Sequence, residues 1–436
     1  MNRSEYLLWK YTIVQLLLVG FLVLGDFAMS SGLVSAADSE SKAVVEPGKV
    51  ESLEEEALEP GKVGRLEEMV EEMVKKYSLS KLGLSLYGYV EISHTRNFNN
   101  PSDDTNQNRI FDVDSNSFRV NLAQIVLEKV GKTGGPLEDA AGFRVKLNFG
   151  EDAQFTGGTF SGDDVDFQEV YAQFIAPFGN GIDLRMGRMN TLIGYEVIEA
   201  PNNHNYSRSW LFGFGQPFTT TGLRVLYPFT EKISFAIGLI NDFKGSISDD
   251  NNTKGVESAL FLTPTDWLGL TAYGYYSGNE GARGQQAGRL LGGGIIDIQA
   301  TESTAIILEG YYANQENAFP NGGNARWNGF AGYIVHDFTK EWGLRFRGEI
   351  FEDASGFVSC FGTGLAGRKP ATCAPGQGTA GQTLWETTYT LQYKPVPSLI
   401  TRLEFRYDKS DEKTFLKGTK PVDNQQTLAV EVIYLF

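Results

Sequence analysis

Charged side chains recur at every second position in several stretches of this chain: Arg144 and Lys146; Asp183 and Arg185; Arg345, Arg347 and Glu349; Arg402, Glu404 and Arg406. A spacing of two puts side chains on one face of an extended strand and their neighbours on the other. Those neighbours are apolar, as with Phe143, Val145, Leu147 and Phe149, or Trp342, Leu344, Phe346 and Ile350. One face suits water and the other suits hydrocarbon. A basic side chain on the lipid face at mid-membrane costs roughly 2–4 kcal/mol, so in a membrane wall such residues turn inward. The same argument collects Arg119, Arg224, Glu91, Glu128, Glu169, Glu309 and Glu431. The chemistry on offer is a polar lining, either of a water-filled lumen or of salt-bridged ladders that brace a wall.

Bond-making chemistry is not legible. Gly131-Lys132-Thr133 has Val126 where a phosphate-binding loop needs its upstream glycine. Asp112, Asp114 and Asn116 mimic the start of a calcium loop, but Ser117 replaces its glycine and Ala123 its closing glutamate. No Cys-x-x-Cys or haem-attachment motif occurs, so neither a cofactor nor a metal is expected. His94, His204 and His336 are scattered and define no hydrolase constellation.

The elements that must position the charges are strands. From Leu82 onward sixteen alternating segments follow one another, at roughly 82–94, 117–130, 142–150, 167–176, 181–190, 219–228, 232–241, 256–264, 267–277, 288–299, 302–313, 325–337, 341–352, 383–394, 398–409 and 425–436. The second needs a bulge near Ala123 to keep its register. The last, QQTLAVEVIYLF, alternates up to the terminal Phe436. A terminal strand is an open edge unless something pairs with it, and pairing with the first strand closes the sheet. A closed barrel is what a bilayer permits besides helices, because backbone groups cannot go unpaired in hydrocarbon. The expected fold is an all-β, transmembrane, antiparallel up-and-down barrel of about 16 strands, two more or fewer, over residues 81–436.

The connections alternate in length. Short ones such as Pro177–Asn180, Pro228–Glu231, Pro264–Asp266, Ala300–Thr301 and Pro395–Pro397 carry turn residues. Long ones span 95–116, 151–166, 191–218, 242–255, 278–287, 314–324, 353–382 and 410–424. Segregated turns and loops are expected of a membrane barrel with periplasmic turns and exterior loops, and not of a soluble sandwich. Loop 151–166 carries Glu151, Asp152, Asp163, Asp164 and Asp166 without a base, and 95–116 has Asp103, Asp104, Asp112 and Asp114 against Arg96 and Arg109. Such a vestibule favours cations weakly at low salt. The rival is anion preference set by Arg345, Arg347, Arg402 and Arg406.

Residues 1–36 read as a secretory signal peptide: Arg3 and Lys10, an apolar run from Thr12 to Leu24, then Val34-Ser35-Ala36. A retained membrane anchor is the alternative. Residues 37–80 read as an acidic periplasmic linker with a short helix, a short coiled coil joining protomers being the alternative, and carry a repeat thirteen residues apart, EPGKVESLEE from Glu46 and EPGKVGRLEE from Glu59. The net charge of −16 argues against a nucleic-acid partner. Cys360 and Cys373 share one loop of an exported chain and are expected to form a disulfide, with metal binding as the alternative.

The stretch from Asp166 to Tyr227 resembles the OmpL-like beta-barrel porin family. The resemblance rests on Gln168, Glu169 and Tyr171; Gly187 and Arg188; Gly194, Tyr195 and Glu196; Asn202, Asn203, Asn205, Tyr206 and Ser207; and Thr221 with Gly222. It implies a porin for passive diffusion of small hydrophilic solutes or ions, in the outer membrane of a Gram-negative-type bacterium. It also implies loop 191–218 as the constriction, with Tyr195, Glu196, Glu199, Tyr206, Arg208 and Trp210 there; an aromatic hinge packed on the rim is the alternative. Phe436 resembles an assembly signal. Expected partners are the bilayer with its lipopolysaccharide, the barrel assembly machinery, and a homo-oligomer such as a trimer. The competing functions are an outer-membrane lipase or protease, which would need a histidine with a Ser or Asp cluster at the outer rim, and a structural or adhesive barrel with a plugged lumen.

Overall fold

The computed structural model describes residues 83–156, 164–243, 245, 253–278, 287–319, 321–361 and 381–436. All belong to the unit Val70–Phe436 into which the chain divides after Met69. The signal peptide, the acidic repeat and the Cys360–Cys373 pairing lie outside what is described.

Alternation becomes strand where one face can leave water and the other cannot. The strands are β1 (Ser85–Asn97), β2 (Ser117–Lys129), β3 (Ala141–Phe149), β4 (Val165–Ala176), β5 (Ile182–Asn190), β6 (Thr219–Thr230), β7 (Ile233–Ile240), β8 (Gly255–Thr265), β9 (Leu268–Ser277), β10 (Arg289–Thr301), β11 (Thr304–Gln315), β12 (Ala325–Asp337), β13 (Trp342–Asp353), β14 (Gln382–Val396), β15 (Leu399–Ser410), β16 (Phe415–Lys417), β17 (Lys420–Val422) and β18 (Asn424–Leu435). From β1 to β15 each strand pairs antiparallel with the next, β18 pairs with β15 and β1, and the sixteen long strands close into a barrel. β16 and β17 make a separate hairpin in the last loop.

The seam is closed by the chain's end. Gly88 N–H donates to Phe436 O at 3.0 Å and Phe436 N–H to Gly88 O at 3.1 Å, continuing the β1–β18 register. The terminal residue thus satisfies backbone groups that hydrocarbon would leave unpaired. Gly88 permits this approach: a Cβ there would lie 2.0 Å from Gln124 O and 2.8 Å from the Phe436 ring.

The expected bulge in β2 exists, two residues earlier than placed: Val120 faces Ile92 and Leu122 faces Glu91, leaving Asn121 extra. A second, unexpected one makes Gln168 extra between Phe167 and Glu169 in β4. Each bulge turns two successive residues inward, Asn121 with Leu122 and Gln168 with Glu169, all buried.

Exposed apolar side chains, among them Leu344, Ile350, Leu403, Val430 and Tyr434, form the outer wall. In water this girdle would be a liability; facing lipid it is the hydrocarbon band. The interior is not empty. Ile110, Phe111, Phe155, Trp210, Leu211, Phe212, Phe243, Tyr275, Leu291, Trp327, Phe351, Leu384 and Phe415 belong to one buried cluster that reaches the wall on several sides. It lies towards the rim that carries the long loops.

Candidate functional site: a loop anchored inside the barrel

Loop 191–218 leaves β5, folds into the barrel and returns to β6. Its polar backbone enters a dry space and needs partners there. The wall supplies them by sign. Glu404 accepts the N–H groups of Tyr206 (2.7 Å) and Ser207 (2.9 Å), and Glu349 those of Trp210 (2.7 Å) and Leu211 (2.6 Å). Glu309 accepts Tyr195 N–H at 3.1 Å. Arginines take the carbonyls: Arg347 donates to Ser207 O (2.6 Å), Arg402 to Asn203 O (2.6 Å) and Ala200 O (3.2 Å), and Arg406 to Arg208 O (2.6 Å).

Within the loop, Glu196 bonds Arg347 at 2.7 Å and accepts Ser209 N–H at 2.7 Å. Ser209 Oγ accepts Phe212 N–H and caps a one-turn helix, Trp210–Gly215. Arg208 donates to the carbonyls of Val197, Ile198 and Tyr206. Burial pushes the Glu199 carboxyl up, but Lys146 beside it and Asn190 hold it down at about 2. The aromatics are anchored at their polar tips. Trp210 Nε1 donates to Asn108 O at 2.8 Å, and the Tyr206 hydroxyl meets Ser93 Oγ at 2.7 Å. Tyr195 OH lies 2.8 Å from His204 Nε2.

The remaining charges identified from the sequence divide by exposure. Glu91, Arg119, Lys146, Glu169, Arg224, Arg345 and Glu431 are buried. Arg119 bonds Asp114 (2.5 Å) and Asp152 (3.2 Å), Lys146 bonds Glu169 and Glu199, Arg224 bonds Glu257 (2.7 Å), and Glu431 bonds Arg402 (2.9 Å). Arg144 and Arg185 are wetter, at 27% and 31% side-chain exposure, and pair with Glu128 and Asp183. Both lie over the Tyr171 ring. These wetter groups occupy the half of the lumen nearer the short turns. The loop acids are partly cancelled: Asp112 pairs with Arg109, Asp114 and Asp152 with Arg119, and Asp166 with Arg188, while Asp103, Asp104, Glu151 and Asp164 stay exposed.

Sequence reasoning missed Glu257, Glu386, Asp408 and Lys394. The first three obey the same period of two, so extending the alternation along β8, β14 and β15 would have found them. Lys394 keeps the same period, two residues after the buried Gln392, and could have been found the same way. The three histidines stay apart: His94 rests on Phe118, His204 on Tyr195, and His336 on Thr304.

An even-stranded closed barrel with an apolar outer wall, a charged interior and a loop anchored across it is the architecture of an outer-membrane porin. The chain belongs to the family described as "Putative beta-barrel porin-2, OmpL-like", whose model matches residues 83–436. Solved structures share the fold. OmpF of Salmonella typhi, in complex with daunomycin, aligns at TM-score 0.54 and 14% identity, covering 81% of this chain and 97% of that one. The anion-selective porin from Comamonas acidovorans aligns at 0.53 and 11%, covering 81% and 99%. OprB of Pseudomonas putida, in a high-pH structure, aligns at 0.53 and 11%, covering 82% and 95%. No curated protein matches the chain.

Proposed function

We propose that this porin is a passive channel for small hydrophilic solutes or ions, with loop 191–218 as its constriction. The short turns and the residue 37–80 segment face the periplasm after residues 1–36 are removed, and the long loops face the exterior. The observation that carries the reading is the sorting of polar groups: wall carboxylates hold loop amides, wall arginines hold loop carbonyls, and the charges left wet line the periplasmic half. The buried cluster on the exterior side implies a narrow path and a small unitary conductance. A trimer is the proposed assembly, tested by crosslinking in membranes. Purified full-length protein in a planar bilayer should give small, stepwise currents. Absence of current at all voltages, with the barrel folded, would favour the plugged structural barrel instead.

A further inference from the structure

Selectivity in a lumen whose charges are mostly paired must come from those that are not. The arginines of the inner wall are committed, Arg347 to Glu386 and Glu196, Arg406 to Asp408, Arg402 to Glu431. Lys394 is an exception. It sits near the short-turn end of β14 where the register slips, Tyr393 pairing with Thr401 but Val396 with Leu399. Lys394 keeps the inward parity of Glu386, Thr388, Thr390 and Gln392. Its backbone N–H is held by Glu341 O at 2.7 Å, while its half-buried ammonium has no ion pair among the described residues. Two residues before it on the same face, Gln392 Oε1 accepts Arg402 Nε at 3.1 Å, and Thr390 pairs with Arg345 across the ladder. His204, near the tip of loop 191–218, lies between Asn203, whose carbonyl Arg402 also holds at 2.6 Å, and Asn205, whose side-chain amide donates to Thr390 Oγ1 at 2.7 Å.

Around this point Asp337 offsets Arg345 (2.5 Å), Glu431 offsets Arg402 (2.9 Å) and Glu196 is spent on Arg347. Lys394 adds a cation to these matched pairs; the Glu341 carboxylate on the strand end opposite accepts Thr339 Oγ1 at 2.8 Å. Arg345 Nε is buried with no acceptor among the described residues. An orphaned guanidinium N–H in a dry setting costs free energy that an incoming acceptor would recover. A cation, an unsatisfied N–H and an imidazole drawn from two strands and the inner loop suit an oxyanion.

We propose that Lys394, Arg345 and His204 form a binding station for small oxyanions, solutes bearing a carboxylate or phosphate group, at the periplasmic mouth of the lumen. The station rests on the channel reading and adds the class of solute. It biases permeation towards anions, against the weaker pull of the exterior acids.

The test uses the full-length protein and the variants Lys394→Gln, Lys394→Glu and, on the neighbouring turn, Lys340→Gln. Under a KCl gradient the chloride-to-potassium permeability ratio should fall about threefold in Lys394→Gln, as expected for one unit charge acting over several ångströms of water. It should fall further in Lys394→Glu and stay unchanged in Lys340→Gln. Inorganic phosphate and succinate, titrated separately against the micellar protein, should show NMR line broadening that Lys394→Gln removes; broadening by one alone names the group preferred. Unchanged selectivity together with undiminished broadening in Lys394→Gln overturns the station. A silent wild-type protein sinks the channel reading, yet the broadening in micelles still decides the station.

Discussion

Replacing Glu349 with alanine should unpin the centre of loop 191–218. The carboxylate accepts the N–H groups of Trp210 and Leu211 at 2.7 and 2.6 Å, both fully buried. Its loss strands two donors and no cation, because Arg347 keeps Glu386 and Glu196 and Arg406 keeps Asp408. A buried donor left without its acceptor costs about 1–3 kcal/mol, so the substitution weakens the closed loop by ~2–6 kcal/mol. At 1.4 kcal/mol per decade that is about one to four decades in the local opening equilibrium. The barrel ladders are untouched, so the unboiled protein should keep its altered gel mobility. Amide hydrogen exchange read by mass spectrometry should then show peptides over 205–212 exchanging faster by that factor, with strand peptides unchanged. Glu349→Gln, which keeps an acceptor oxygen, should fall between. Unchanged exchange at Trp210 and Leu211 in the alanine variant would refute the idea that wall carboxylates hold the loop.

Deleting Phe436 removes both hydrogen bonds to Gly88 at the seam and should lower membrane levels while export persists; normal levels by heat-shift gel would count against it. Gly187→Ala should also impair assembly, since φ there is +142° and a Cβ would meet Val170 O at 2.1 Å; the check is the folded fraction on the same gel. Burial first, then Arg345 and Arg402, holds His204 down at about 4, so the packed loop resists its protonation. Loop stability is therefore full above the ordinary histidine range near 6.5 and is lost as pH falls towards 4. Conductance should rise over that window, and His204→Asn should flatten the rise. Thiol labelling of native protein should find Cys360 and Cys373 unreactive if they pair.

The barrel was legible because its causes are local. Alternation of period two, short turns opposite long loops, and an apolar terminal strand follow from which face meets lipid, and a lipid-facing wall constrains every strand. The inward assignment of Arg347, Glu349, Arg402, Glu404 and Arg406 came from the same rule. What those charges touch did not. A period of two says that Glu349 points inward; it cannot say that Trp210, 139 residues earlier, brings an amide to it. The bulges at Asn121 and Gln168 shift faces without disturbing the pattern on either side. Whether Asp152 and Asp166 face water or Arg119 and Arg188 was likewise settled by how the loops pack. Sequence determined which residues turn inward, since hydrocarbon penalises every exception; tertiary structure decided which of them stay wet, because pairing and burial depend on segments distant in the chain.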